Sequence, residues 1–130
     1  MRSLGLIASL VVATPILAQW SATVLHPAGA ESSSIAAVSV DQQGGEAVFA
    51  GEVHAALWSG DAASFVDLHP AGATLSRVRA LADGRQVGTF ITGGLPRAGI
   101  WDGSAASLID LHPSGASASA AQGAGPGQQV

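Results

Sequence analysis

The sequence predicts an all-β protein of tandem four-stranded antiparallel units, a partial β-propeller, and a repeated phrase is the first reason. TVLHPAGA, VDLHPAGA and IDLHPSGA place Leu-His-Pro at Leu25, Leu68 and Leu111, a spacing of 43 residues each time. Within each copy, short apolar stretches end at Gly, Pro or Asp-Gly, which is typical of strands joined by tight hairpins. Four strands in about 40 to 45 residues is the size of a propeller blade.

The same spacing extends well beyond the phrase, which indicates that the whole unit is repeated. We divide the chain into copies at approximately 19–56, 57–99 and 100–130, the last one incomplete, giving about 2.6 copies where a closed propeller needs at least about four. Residues that keep the spacing are Ser33, Ser76 and Ser119; Gln43, Gln86 and Gln129; Gly45 and Gly88; Gly51 and Gly94; and Trp58 and Trp101.

The N-terminal segment 1–18 is predicted to be a signal peptide. Met1-Arg2 is a short positive start, and the apolar run from Leu4 to Ala18 is too short for the roughly 20 residues of a membrane-spanning helix. Cleavage after Ala18 would release residues 19–130 with no membrane span, and the alternative is an uncleaved signal anchor. We therefore expect a secreted, periplasmic or cell-envelope protein.

The composition excludes several functional classes. Five basic residues, one of them Arg2, stand against nine carboxylates, so the chain has no basic patch to neutralise phosphates and nucleic acid is not an expected partner. The chain has no cysteine, which rules out disulfides, thiolate nucleophiles and Cys-ligated zinc.

The strands of one copy follow from its apolar stretches, at 55–58, 65–68, 75–81 and 86–92. The best support for a helix as the alternative is the segment Thr74 to Asp83, which has a candidate N-cap at Thr74 and apolar residues at helical spacing. The equivalent segment of the third copy, 117–127, contains Gly123, Gly125 and Pro126, which disfavour a helix, so we predict a strand.

Strict alternation along that strand predicts its two faces. Arg77 and Arg79 would lie together, either on a solvated rim or at a ligand groove. The small side chains Ala37 and Ala80 would let a neighbouring sheet approach closely. The residues expected on the face opposite the arginines are Ile35, Ala37 and Ser39 in the first copy and Val78, Ala80 and Ala82 in the second.

The segments HAALW (54–58) and RAGIW (97–101) resemble the bacterial extracellular repeats named for a His-Ala-Phe tripeptide. Each follows a Gln-x-Gly, at 43–45 and 86–88, and precedes a Val/Ile-Asp-Leu, at 66–68 and 109–111. Ala56 and Gly99 stand where that family has its aromatic residue. The resemblance covers nearly all of residues 19–130. It implies a propeller-like fold and an extracellular location, and it implies no activity.

One histidine per copy, at His26, His69 and His112, could in principle point toward a common axis and form an open zinc site. Each is followed by proline, however, so we expect turn residues, with Asp67 or Asp110 as hydrogen-bond partners. The residue His54 aligns with Arg97, and we therefore expect an exposed polar position there.

No catalytic, cofactor-binding or metal-binding residue is assigned. Asp67 and Asp110 recur as structural acceptors for turn amides rather than as paired catalytic acids. Ser64, His69 and Asp67 could form a hydrolytic triad on paper, but no nucleophile-elbow pattern accompanies them. The recurring Trp58 and Trp101 are expected in the core rather than on a sugar-binding platform.

Two functional classes remain open. The first is a non-catalytic secreted or cell-envelope repeat protein with a structural role or a protein or carbohydrate ligand. The second is a fragment of a propeller hydrolase or lyase whose catalytic blades are absent. The fractional copy number also predicts either missing blades or self-association that closes the ring.

Overall fold

The computed structural model describes residues 19–130, so the signal-peptide prediction for residues 1–18 lies outside the described part. Within this part, no helix is long and apolar enough to cross a membrane. The structure consists of antiparallel β-sheets and two short 3₁₀ turns, which confirms the all-β prediction.

Two four-stranded sheets follow one another along the chain, each with its strands in sequence order. The first sheet contains β1 (Ser32–Val38), β2 (Gln43–Phe49), β3 (Glu52–Trp58) and β4 (Val66–Asp67). The second contains β5 (Leu75–Ala82), β6 (Arg85–Thr92), β7 (Leu95–Trp101) and β8 (Ile109–Asp110). Two-residue strands β9 (Ala124–Gly125) and β10 (Gln128–Gln129) form a separate hairpin.

Corresponding elements of the two sheets lie 43 residues apart. Strands β7 and β8 follow β3 and β4 at that distance, and so do the 3₁₀ turns Ala62–Ser64 and Ala105–Ser107. The segment for which a helix was the alternative is strand β5, so the helical interpretation is wrong. The sheets span 32–67 and 75–110, and the boundary that we drew between residues 56 and 57 therefore cuts through β3.

A β-bulge in β5 changes the predicted faces of this strand. Pairing with β6 shifts register between Val78 and Ala80, and a matching shift occurs in β1 between Ile35 and Ala37. Because a bulge adds one unpaired residue, alternation does not continue through it. Val78 packs into the cluster between the two sheets, whereas Ala80 packs against the cluster beyond the second sheet. The prediction that these two residues share a face is wrong.

The bulges also explain the recurring glycines of β2 and β6. A Cβ atom on Gly88 would lie 1.9 Å from the carbonyl oxygen of Arg77, and one on Gly45 would lie 2.0 Å from that of Ser34. Both obstacles are backbone atoms of the neighbouring strand, which cannot move aside as a side chain can. Close approach of the two strands at each bulge therefore depends on these glycines.

The main core lies between the two sheets. Leu57 and Leu68 of the first half meet Val78, Phe90 and Trp101 of the second, and all five side chains are buried. Burial of each such side chain contributes about 1.5 to 3 kcal/mol to stability. This core holds the sheets together and fixes the turn that connects them, which begins at Leu68.

Small and large side chains change places between two junctions: the one between the first and second sheets, and the one between the second sheet and the third copy. At the first, Gly44 faces Val78 and Leu81, where a Cβ atom on Gly44 would lie 2.7 Å from Val78. At the second, Val87 occupies the position of Gly44 in the repeat and packs with Ala121 and Ala124, which occupy the positions of Val78 and Leu81. The first junction thus combines one small residue with two larger partners, and the second combines one larger residue with two small partners.

Candidate functional site

The repeated Leu-His-Pro phrase forms a turn that the histidine side chain closes. In the turn after β4, the ring nitrogen Nε2 of His69 lies 3.0 Å from the carbonyl oxygen of Ala73, and Nδ1 lies 2.8 Å from Oγ of Ser76. A carbonyl oxygen can only accept, so Nε2 carries the proton and Nδ1 accepts from the serine hydroxyl. Gly72 supplies the left-handed backbone of the turn, with φ of 79°.

The other two copies make the same bonds. His26 and His112 contact carbonyl oxygens at 3.0 Å and serine hydroxyls at 2.9 and 2.7 Å respectively. Their partners are Ala30 and Ser33 in the first copy, and Ala116 and Ser119 in the third. The histidines therefore occupy separate turns, and each one has a local role, as the following proline suggested.

The serine of the turn also connects one sheet to the next. Ser76 lies on β5, and its hydroxyl accepts a hydrogen bond of 2.8 Å from the backbone N–H of Ala55 on β3. Ser119 accepts in the same way from Ala98 on β7, at 2.9 Å. Ser76 is fully buried, so the hydroxyl satisfies a backbone donor that would otherwise have no partner. This arrangement joins His69, Ser76 and Ala55 across the junction, and we call it the His–Ser tie.

The two recurring aspartates bind the backbone of the same turns. Asp67 accepts from the backbone N–H of His69, and Asp110 accepts from that of His112, both at 2.8 Å. The second carboxylate oxygen of each faces a basic group on the adjacent strand. For Asp67 this group is His54 Nδ1, at 2.8 Å, and for Asp110 it is Arg97 Nη1, at 2.6 Å.

The hydrogen-bond partners of Asp110 lower its pKa. Burial by itself would raise the pKa of this carboxyl, but the backbone N–H of His112 and the guanidinium of Arg97 outweigh burial and lower the pKa below its usual value. The carboxylate is therefore favoured in the folded protein.

Around His54 the structure brings together more polar groups than the sequence suggested. The side chain of His54 is only 16% exposed, so the expectation of an exposed position is wrong. The ring stacks on that of His69, with centroids 4.0 Å apart and planes 13° from parallel. A carboxylate oxygen of Glu52 lies 3.8 Å from His54 Nε2. That nitrogen is buried and has no hydrogen-bond partner.

Sequence reasoning did not identify Glu52. The signal was available, because Glu52 and His54 are two residues apart on one strand and their side chains share a face. It was missed because Leu95 stands at the position of Glu52 in the second sheet, so Glu52 is not a repeated residue.

The remaining candidate residues have structural contacts. The hydroxyl of Ser64 donates to the carbonyl oxygen of Asp61 and accepts from the backbone N–H of Ser59, which separates it from the hypothetical triad. Trp58 and Trp101 are fully buried, as expected of core residues.

The two arginines of β5 differ in their surroundings. Arg77 Nε lies 2.8 Å from a carboxylate oxygen of Glu46 on β2, without the alignment of a hydrogen bond, and forms an ion pair between the sheets. The side chain of Arg79 is exposed. Arg77 is thus paired with Glu46, while the exposure of Arg79 agrees with a position on the solvated rim of the sheet.

A cavity of about 290 Å³ lies between the second sheet and the β9–β10 hairpin. Val87, Ile100 and Ala124 line it together with the polar residues Asp83 and Arg85. Ala124 stands where the first junction has Leu81, so a smaller side chain leaves this volume open.

No protein-family model, no curated protein and no solved structure matches this chain.

Proposed function

We propose that the chain is a propeller-like repeat module of the bacterial extracellular His-Ala-Phe type, with a structural or binding role rather than a catalytic one. The observation that carries the proposal is the His–Ser tie. It occurs at the junction between the two sheets and again at the junction with the third copy. A bond that recurs once per unit is what a stacked repeat array requires, because each unit is stabilised by its neighbours.

The same bonds support a non-catalytic role. A general base needs a free ring nitrogen within reach of a substrate proton. Both ring nitrogens of His26, His69 and His112 are occupied by the turn. Ser33, Ser76 and Ser119 donate to these rings, and Ser76 and Ser119 also accept a backbone N–H. These bonds give the serines a role in supporting the array instead of acting as nucleophiles.

A glycan array and an envelope-protein overlay with the full chain test the binding role. We expect saturable binding, with the bound glycan or protein recovered at unchanged mass. A cleaved or eliminated product would contradict the proposal and would favour a fragment of a propeller hydrolase or lyase.

The proposed export has its own test. If residues 1–18 are a signal peptide, a bacterial host will export the chain, and the intact mass of the exported protein will correspond to a start at Gln19. Retention of the full-length chain in the cytoplasm would contradict this part of the proposal.

We also propose that a second copy of the chain covers the outer face of the first sheet. Ile35 and Val38 are 40% and 71% exposed on this face, whereas Val78, at the position of Ile35 in the next unit, is 1% exposed at the junction. Light scattering of the wild type should show an oligomer. The double variant with Ile35→Ser and Val38→Ser should be monomeric. Ile109→Ser, at an exposed residue of β8, is the control, and a monomeric wild type would contradict the proposal.

A further inference from the structure

We propose that Glu52, His54 and His69 bind a divalent first-row transition-metal ion of the Zn²⁺ class. One potential ligand atom from each of these side chains lies within 4.8 Å of the other two. His26 and His112 are not part of this group, which was the one found in the described residues 19–130. The site is therefore distinct from the axial three-histidine arrangement that the repeat pattern raised and disfavoured.

The orientation of His54 is the first argument. Its Nδ1 atom lies 2.8 Å from Asp67 Oδ2, and an ionised carboxylate can only accept, so Nδ1 carries a proton. In the neutral ring, Nε2 then has a lone pair. Histidine ligands in proteins usually donate their other N–H to a carboxylate in this way, which fixes the ring and increases the basicity of the ligating nitrogen.

The surroundings of His54 Nε2 are the second argument. This nitrogen is buried and has no hydrogen-bond partner, and the nearest ionisable oxygen belongs to Glu52, 3.8 Å away. A lone pair and a carboxylate only 3.8 Å apart repel each other unless a proton or a metal cation lies between them, and the proposed ion would take that place. A buried polar atom without a partner is costly, and a bound cation removes that cost.

The third ligand requires a local rearrangement. The rings of His54 and His69 are nearly parallel, so their in-plane lone pairs do not converge on one point. The ring of His69 must turn and release the carbonyl oxygen of Ala73 for Nε2 to bind the ion. Its Nδ1 can then donate to Ser76, since a hydroxyl oxygen can accept as well as donate.

The donor set selects the class of ion. Two imidazole nitrogens and one carboxylate oxygen suit Zn²⁺, Ni²⁺ or Cu²⁺, whereas Ca²⁺ and Mg²⁺ prefer oxygen ligands. Three protein ligands leave at least one coordination position of Zn²⁺ open to water. The second sheet provides an internal comparison, because it keeps His112 but has Leu95 and Arg97 in place of Glu52 and His54.

Calorimetric titration of the full chain with Zn²⁺ is the first test, and we expect one saturable site. Asp67→Asn should weaken binding by about 10- to 100-fold, because an amide cannot accept the His54 proton in the same way and orients the ring less well. The matched control is Asp110→Asn in the second sheet, with unchanged affinity. His54→Arg copies the Arg97–Asp110 pair and should fold normally without binding Zn²⁺.

A transplant is the second test and leaves all residues of the proposed site unchanged. Leu95 and Arg97 are partly exposed, so Leu95→Glu with Arg97→His should be accommodated and should bring the total to two Zn²⁺ per chain. In addition, the ¹⁵N resonance of His54 Nε2 should shift on titration of the wild type. The proposal is overturned if the wild type shows no saturable binding at about 100 μM Zn²⁺, or if His54→Arg binds as the wild type does.

Discussion

The Oγ atom of Ser76 lies 2.8 Å from the Nδ1 atom of His69, and this contact places a fully buried hydroxyl between two sheets. The same oxygen accepts the backbone N–H of Ala55. Ser76, a residue of the second sheet, thus provides hydrogen-bond partners for a strand of the first sheet and for the turn between the sheets.

We expect Ser76→Ala to lower the free energy of unfolding by about 2 kcal/mol, because the buried N–H of Ala55 and the half-buried ring of His69 lose their partner. Ser33→Ala is the control, since the bond of Ser33 to His26 is exposed, and the expected loss is below about 1 kcal/mol. Urea denaturation followed by far-ultraviolet circular dichroism measures both. Equal losses for the two variants would show that the tie between the sheets contributes no more than the turn alone.

We expect Gly88→Ala to be strongly destabilising, by about 3 kcal/mol, because the added Cβ would overlap the carbonyl oxygen of Arg77 and force β5 and β6 apart. In Gly125→Ala the new methyl group meets no atom within 4 Å, so stability should change by no more than about 0.5 kcal/mol. Thermal unfolding of the two variants compares them directly. A mild effect of Gly88→Ala would mean that the strands at the bulge can separate at little cost.

The size exchange between junctions predicts a coupling that is measurable in a mutant cycle. Gly44→Val alone should cost about 1 to 3 kcal/mol through overlap with Val78 and Leu81. Combined with Val78→Ala and Leu81→Ala, it should recover at least about 1 kcal/mol relative to the sum of the separate effects, because the combination reproduces the packing of Val87 on Ala121 and Ala124. Additive free energies would contradict this account of the junctions.

The lowered pKa of Asp110 predicts a pH dependence of stability. A carboxyl whose pKa is lower in the folded state than in the unfolded state stabilises the fold above its unfolded pKa, about 3.9 for aspartate. That contribution is lost as the pH falls through the folded value. The wild type should therefore lose more stability than Asp110→Asn between pH 5 and about pH 2.

Denaturant titrations across that pH range provide the measurement for Asp110. Arg97→Gln removes the cation but keeps the backbone N–H of His112, and it should show an intermediate dependence. If Asp110→Asn followed the wild-type profile throughout, other carboxylates would account for the acid sensitivity.

The spacing of Leu25, Leu68 and Leu111 predicted a repeated unit, and the Gly, Pro and Asp-Gly turns that end its short apolar stretches predicted the all-β class. Proline after each histidine was likewise enough to indicate a turn. The bulge at Arg79 was not predictable from alternation, since period-two reasoning assumes a regular ladder and the sequence has no marker for an extra residue. Gly88 was visible as a repeated glycine, but its reason, the carbonyl oxygen of Arg77, lies on another strand.

The cluster of polar side chains around His54 was the part of the structure that the sequence predicted least well. Its members come from β3, β4 and the following turn, and only the fold brings Glu52, Asp67 and His69 to one place. A comparison of repeats emphasises what copies share, whereas this group depends on the two positions, Glu52 and His54, at which the copies differ.

The exchange of Gly44 and Val87 also restricts how such chains can evolve. If units multiplied by gene duplication, all junctions would at first be identical, and a later enlargement on one side of a junction would require a reduction on the other side. Neighbours that have diverged in this matched way no longer fit other neighbours. Recombination that moved a single unit to another place in the chain would then be penalised, so the order of units becomes an inherited property of the gene.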